Sequence, residues 1–388
     1  MKVKTLYFDH CASTPPYEQV VRTVGELMNL HYANSGAIHR AGAEAMKLVE
    51  RAHASVAAAC GAKPEEVVFT SGGTESNNLA IKGTILASSR RGTKHMITTS
   101  IEHSSVHGVA KQLERMGVEV TFVRPDASGR VSAEDIAAAL RPETVLVSVM
   151  HVNNETGAIQ PIREIGRLLS VYPQTRFHVD GVQAVGKLEL DWASSGVDLY
   201  SASSHKFRGP KGAGFLLVRE GVRLEPLLAG GGQEDGVRSG THNVPGIVGT
   251  AQALRLATET REERAAKMHG LRRMLIGLLQ DMPELVLNAA GDESVSAPHV
   301  VNVSYPGMRP EVLVHMLEKH GILVSTQSAC SSKSLKPSRV LLAMGLDEAR
   351  ASGSIRISFG DEHTEEDIRL LAERLRLAIS KLKPLERS

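Results

Sequence analysis

The chain has 388 residues, with 45 Lys+Arg against 43 Asp+Glu, 42% apolar residues and 23% charged ones. That length holds two domains, or one large domain with a smaller appendage, and the composition argues against disorder. The near-balanced charge provides no net field to recruit nucleic acid or an anionic membrane.

The opening, MKVKTLYFDH, lacks the apolar core of a secretory signal, and no stretch approaches the roughly 18 apolar residues of a membrane span. Three cysteines, Cys11, Cys60 and Cys330, show no paired spacing, which predicts a reducing compartment. The expectation is a cytoplasmic protein with neither a membrane nor a nucleic-acid partner. Residues 1–15 read as an N-terminal strap that packs against the body, with Cys11 structural. Cys60, in AAACGA, reads as a small buried hydrophobe near a helix end.

From residue 16 to 255, short β-rich runs alternate with helical patterns. The runs are EVVFTS (66–71), HMITTS (95–100), VEVTFV (118–123), TVLVSVMHV (144–152), TRFHVD (175–180), VDLYSAS (197–203) and GAGFLLV (212–218). Between them lie segments such as SAEDIAAALR, where Ser132 and Asp135 make a capping-box-like start. Such alternation predicts a large α/β domain with a mainly parallel central sheet. Ligands of such sheets bind on the loops at the carboxyl ends of the strands. After Gly246, TAQALRLATETREERAAKMHGLRRMLIGLLQ reads as one long helix bridging two domains. Strand-like HVVNVSY, GILVST and SIRISFG follow, then a helix from Thr364 with Ile368, Leu371, Leu375, Ile379 and Leu382 at helical spacing. Residues 256–388 therefore read as a smaller α+β domain.

The chemistry sits on loops after strands. In TSGGTESNN, Gly73 and Thr74 offer backbone N–H groups, a hydroxyl and a helix N-terminus to an anion. Asp180 ends an apolar run; it is either a helix cap or a carboxylate facing a protonated ring nitrogen. Lys206 follows a strand among Ser203, Ser204 and His205, as an imine-forming amine beside a phosphate cradle does. Lys211, in a Pro-Gly turn, reads as solvated. The combination is what pyridoxal 5′-phosphate requires, with His103 able to stack on the ring and shuttle protons. His103 and His107 lie four apart without an evident third ligand, so no metal is expected. Cys330, in TQSACSSK, stands among small polar residues rather than in an apolar run, which leaves it as loop filler, a metal ligand or a reactive thiol.

These stretches and others resemble the NifS/IscS-type cysteine desulfurases, a branch of the class V, fold-type I pyridoxal-phosphate enzymes. The resemblance runs nearly end to end, through YFDHCASTPP, FTSGGTESNNLAIKG, IEHSSV, HVNNETGAIQPI, HVDGVQAVGK, SSHKFRGPKG, RSGTHNVPGIVG, SACSSKSLKPSRVLLAMG and IRISFG. It implies Lys206 as the Schiff-base lysine, Asp180 as partner of the pyridine nitrogen and Gln183 as partner of the ring hydroxyl. It also implies His103 over the ring, Thr74, Ser203 and His205 on the phosphate, and Thr241 reaching the phosphate of a neighbouring subunit in a homodimer. Asn154 and Arg356 are implied to hold the carboxylate of L-cysteine, an Arg fork suiting it bidentately. Cys330, on a loop at about 324–337, is implied to take the substrate sulfur as a persulfide for an acceptor protein. Iron–sulfur scaffolds and tRNA-thiolating enzymes are such acceptors in the family.

The chain departs from the family pattern at Cys11, where alanine is usual, and in the loosely matching NSGAIHRAG. The Gly-His-His-Cys signature of the short-loop SufS type is absent, and SACSS fits the long-loop class. The rival readings are a selenocysteine lyase, an aminotransferase-like enzyme on the same cofactor, and a non-catalytic sulfur-transfer scaffold. A transaminase needs no nucleophilic cysteine, which counts against that rival.

Overall fold

The computed structural model describes residues 4–289, 292–326 and 336–383. Among these the chain forms β1 (Leu6–Tyr7), β2 (Val67–Thr70), β3 (His95–Thr99), β4 (Glu119–Val123), β5 (Thr144–Met150) and β6 (Arg176–Asp180). There follow β7 (Leu199–Ser203), β8 (Gly214–Val218), β9 (Val286–Leu287), β10 (Val300–Ser304), β11 (Ile322–Leu323) and β12 (Ser354–Ser358).

Seven strands form the central sheet in the order β2-β8-β7-β6-β5-β3-β4. Only β8 runs against its neighbours, pairing antiparallel with β2 and β7. The carboxyl ends of β2, β3, β5, β6 and β7 therefore open on the same side. Every residue of β3, β5, β7 and β8 is buried, as in a sheet with both faces covered by its crossover helices. One core runs through Val147, Val149, Phe177 and Val179 of this sheet to Ala253 and Leu254 of the helix Val244–Glu259.

The expected long helix is two. Val244–Glu259 and Arg261–Leu279 meet at Thr260, whose ψ of 15° leaves the helical range. The hydroxyls of Thr258 and Thr260 donate back to the carbonyls of Leu254 and Leu256, and Arg264 takes the carbonyl of Ala257. Side-chain donors that compete for helix carbonyls bend helices in this way. Ser132 does cap its helix, accepting from the Asp135 N–H. Cys60 is the last residue of the helix Arg40–Cys60, and burial pushes its thiol up to about 12.

A second sheet, β12-β10-β9, is antiparallel throughout. Its core joins Val301, Val303, Ile355 and Ile357 to Ile368, Leu371, Leu375 and Ile379 of the helix Glu365–Leu382. Leu6 and Phe8 belong to that same core. The N-terminal segment adds β1 to β11 in parallel, bridges Asp9 to Ser358, and then turns under the carboxyl ends of the large sheet.

Candidate active site

At those carboxyl ends lies a cavity of about 530 Å³, a volume typical of small-molecule sites. Gly73, Thr74, His103, Asn154, Asp180, Gln183, Ser203, His205, Lys206 and Arg356 all line it. The sheet explains the gathering: each of these except Arg356 follows or ends a strand whose carboxyl end opens here.

The helix Gly73–Ala87 begins directly after the turn that follows β2. Its N-cap, Gly72, supplies no side chain to the first N–H groups, so the positive end of the helix faces the cavity. Gly73 must be glycine: a Cβ there would lie 2.6 Å from Val182 Cγ2. Glu75, in the first turn, is neutralised by Arg238 at 2.7 Å and accepts the Ser71 N–H at 2.7 Å. These partners outweigh its burial and hold its carboxyl below the usual range.

Asp180, 4% exposed, is held by its surroundings. Oδ1 accepts the Val182 N–H at 3.0 Å and Oδ2 accepts from Asn77 at 2.8 Å. No helix starts after it, so the cap alternative fails; a turn follows. Asn77 also donates to Ser105 Oγ at 2.8 Å, and Ser105 Oγ lies 2.8 Å from Nδ1 of His103. The Ser105 N–H donates to the same Nδ1 at 3.2 Å, which leaves the ring proton on Nε2. Burial lowers the pKa of His103, with the Lys206, Arg339 and Arg356 charges adding to it against the pull of Asp180. The imidazole is therefore neutral.

Lys206 sits in the turn Ser204–Lys206 after β7. Its amine donates to the carbonyls of Cys11 and, at 2.9 Å, Ala12. Gln183 Nε2 donates to the Cys11 carbonyl at 3.0 Å, while its Oε1 is buried without a hydrogen-bond partner. His205 Nδ1 is 3.2 Å from Ser13 Oγ, and burial lowers its pKa to about 4. Cys11, expected to be structural, is indeed buried, and it also lines the cavity. Lys211, expected to be solvated, is exposed and lines the cavity too.

Arg356 reaches in from the middle of β12 and is 1% exposed. Nη1 donates to the Asn154 carbonyl and Nη2 to Asp9 Oδ1, both at 2.9 Å, while Nε is buried without a hydrogen-bond partner. A carboxylate ligand suits that remaining donor.

Thr241 is exposed and does not line this cavity. Cys330 lies outside the described residues. On one side of that stretch, Ser325 pairs with Arg356, whose N–H donates to its carbonyl at 2.7 Å. On the other, the Ser338 hydroxyl donates to Glu155 Oε2 at 2.6 Å. The chain thus leaves beside Arg356 and returns beside Asn154.

Several contributors escaped the sequence reading. Asn77, Ser105 and Asp9 orient the groups named above. Glu102 is buried behind His103, its Oε1 accepting from Thr99 Oγ1 and the Met150 N–H, and burial raises it to about 8. Asn77 has a legible signal, since it sits one turn into the helix after the Gly-Gly turn, from where it reaches Asp180. Asp9 has none, because its partner lies 347 residues away.

The class-V aminotransferase family model matches residues 6–371. The Bacillus subtilis protein that carries the name IscS 1 is 43% identical over 381 residues, which are 98% of this chain and 100% of that one. A Clostridium botulinum cysteine desulfurase IscS is 42% identical over 374 residues, 95% of this chain and 93% of its own. A solved structure described as a NifS-like protein has a TM-score of 0.91 at 37% identity, covering 97% of this chain and 100% of that one. Enzymes of this family depend in general on pyridoxal phosphate. The chain belongs to the class-V aminotransferase family, in its NifS/IscS branch of cysteine desulfurases.

Proposed function

We propose that the protein is a cysteine desulfurase that uses pyridoxal 5′-phosphate to convert L-cysteine into L-alanine, leaving the sulfur on Cys330 as a persulfide. The observation that carries this reading is the convergence of Lys206, Asp180, His103 and Arg356 on one cavity. The cavity fits the cofactor: a helix N-terminus for a phosphate, a fixed buried carboxylate for a ring nitrogen, an amine for an aldehyde, and the orphaned Gln183 Oε1 for a ring hydroxyl. Gly73, Thr74, Ser203 and His205 would hold the phosphate in this reading, with Asn154 among the residues that would hold the cofactor. The cofactor, when bound, supplies an aldehyde that condenses with amines and a ring that draws electrons from the substrate's α-carbon.

This chain's residues do the rest. Arg356, with Asn154, takes the substrate carboxylate through the Nε edge and so orients the amino acid. Lys206 would hold the cofactor's aldehyde until the substrate amine takes its place, and its Nζ would then move the α-proton. His103, neutral and fixed at Nδ1 by Ser105, exchanges protons at Nε2. The Cys330 thiolate attacks the substrate Sγ. An S–S bond forms, the C–S bond breaks, and its electron pair stays on Cβ, which takes a proton to become the methyl group of alanine. An ordinary thiol, with a pKa near ~8.5, is mostly protonated at neutral pH, so the Cys330 proton has to leave before the attack.

The same reading makes the protein a cytoplasmic homodimer that passes sulfur to an acceptor protein of iron–sulfur or tRNA-thiolation chemistry. No helix among the described residues is long and apolar enough to cross a membrane. Val21, Met28, Leu30, Tyr32 and Ile38 are exposed within one short region, which supports a covered face, and exposed Thr241 is available to reach a partner's phosphate. The separate cores support a large domain over 16–255 and a smaller one over 256–388 that the 1–15 strap joins.

Cys330→Ala tests the reading. Alanine formation falls to background while the visible absorbance of the lysine-bound cofactor persists; retained turnover would overturn the role of Cys330. Lys206→Ala loses that absorbance as well.

A further inference from the structure

His10, Glu362 and His363 meet at the junction between the N-terminal strap and the turn after β12, and their ligating atoms all lie within 4.8 Å of one another. Both histidines are nearly buried, at 3% and 4% exposed, and Glu362 closes the group from the solvent side. We propose that these three side chains form a binding site for one divalent transition cation of the zinc type, apart from the catalytic cavity.

Two imidazoles and a carboxylate are a donor set that suits zinc and its neighbours, with a fourth position left for water. Tetrahedral ligands at zinc bond lengths stand about 3.4 Å apart, so the farthest pair closes by at most about 1.4 Å, within the reach of side-chain rotation.

Three further observations point to a ligand. His10 Nε2 is 2.8 Å from Glu362 Oε1, an ion pair that already brings two candidate ligand atoms together. His363 Nδ1 faces Gly360, 3.2 Å from its N–H and 3.3 Å from its carbonyl; in the tautomer that donates to the carbonyl, Nε2 is left for a metal. Gly360 itself makes room: a Cβ there would lie 2.6 Å from His10 Cε1 and 2.3 Å from Glu362 Oε2. Phe8 stacks on the His363 ring at 4.4 Å and fixes its plane. Glu362 Oε2 also faces Arg208 at 3.3 Å, which leaves Oε1 on the side of the histidines.

A bound ion would tie the strap to the smaller sheet one residue before Cys11, whose carbonyl receives the Lys206 amine. The expectation of no metal rests on His103 and His107 alone, because nothing in the sequence joins His10 to a turn near the other end of the chain.

The test uses the cofactor-loaded protein carrying Cys330→Ser, so that no reactive thiol on that loop competes for the ion. After chelator treatment it is titrated with Zn²⁺ against a chromophoric chelator. One equivalent per chain is expected, with an upward shift of the thermal midpoint. Glu362→Gln, a change at a partly exposed side chain, should weaken binding by at least the roughly 10–100-fold that loss of an outer partner costs, and His363→Ala should remove it. No stoichiometric binding, or unchanged affinity and midpoint shift in Glu362→Gln, would overturn the site.

Discussion

Five stretches lining the cavity follow the carboxyl ends of strands in the seven-stranded sheet, whereas the three-stranded sheet contributes one side chain, Arg356, from the middle of β12. In the first group, Asp180 and His103 are held from within the large domain. Asp180 is fixed by the N–H two residues on and by a helix packed beside it, and His103 by the Ser105 N–H. Arg356 is held across the chain, by Asp9 on the strap and the Asn154 carbonyl on the large sheet. A parallel sheet gathers groups from separate loops at one edge. A buried guanidinium from another sheet needs its charge partner brought to it. The two walls should therefore fail differently: changes to the first should strike the chemistry, and changes to the second should strike substrate binding and the joint between the sheets.

The largest effect belongs to the first wall. Asp180→Asn keeps the shape and removes the charge that faces the ring, and kcat should fall by about 10²–10³-fold, as for loss of one preorganised electrostatic group. The new amide also faces the donor that Oδ2 accepted from, so about 1–3 kcal/mol of stability should be lost as well, and kcat is read where the variant is fully folded. A kcat within threefold of wild type would mean that the carboxylate is a structural turn former.

On the second wall, Arg356→Lys replaces a fork by a point charge. Losing a charged hydrogen bond of about 1.5–3 kcal/mol should lower kcat/KM by roughly 10–150-fold, mainly through KM. A loss confined to kcat would move Arg356 from carboxylate binding into the chemistry. Asp9→Ala should leave KM less affected but cost about 1–3 kcal/mol of stability, read from urea unfolding, because it strips the anion from a buried guanidinium.

The same contrast explains what could be read in advance. Lys206, Asp180, His103 and the Gly-Gly turn were legible because each follows a β-run and carries a residue type that its spacing makes unusual. The strands themselves were visible as apolar runs, with edges off by one or a few residues where burial fades: GILVST shrinks to Ile322–Leu323. Arg356 looked like an ordinary strand arginine, and only the family resemblance singled it out. Asp9, Glu102 and the His10–Glu362–His363 corner gain their meaning from contacts between distant segments, which no local pattern encodes. The break at Thr260 was hidden for the opposite reason, since the apolar periodicity runs through it while two threonine hydroxyls take the carbonyls that would continue the helix.

The smallest effect concerns the joint itself. Lys187, 7% exposed, lies behind the first wall and donates to the Lys206 carbonyl at 2.9 Å. Burial pushes its amine down from 10.5 to about 7, and the charges of Lys206 and Arg264 reinforce the shift against an opposite pull from Cys11. Between those two values the unfolded chain binds a proton that the folded protein does not. Stability attributable to this group therefore rises as pH rises through that window, and below about 7 the buried amine must be charged at a cost. One such proton gives a slope of at most about 1.4 kcal/mol per pH unit. Lys187→Met removes the titration together with one hydrogen bond of about 1 kcal/mol. The wild type should thus gain on the variant when urea midpoints are compared at pH 7, 8 and 9, whatever their order at neutrality. Parallel pH profiles would mean that Lys187 finds water in the folded protein, and that the wall behind Lys206 is looser than its hydrogen bonds suggest.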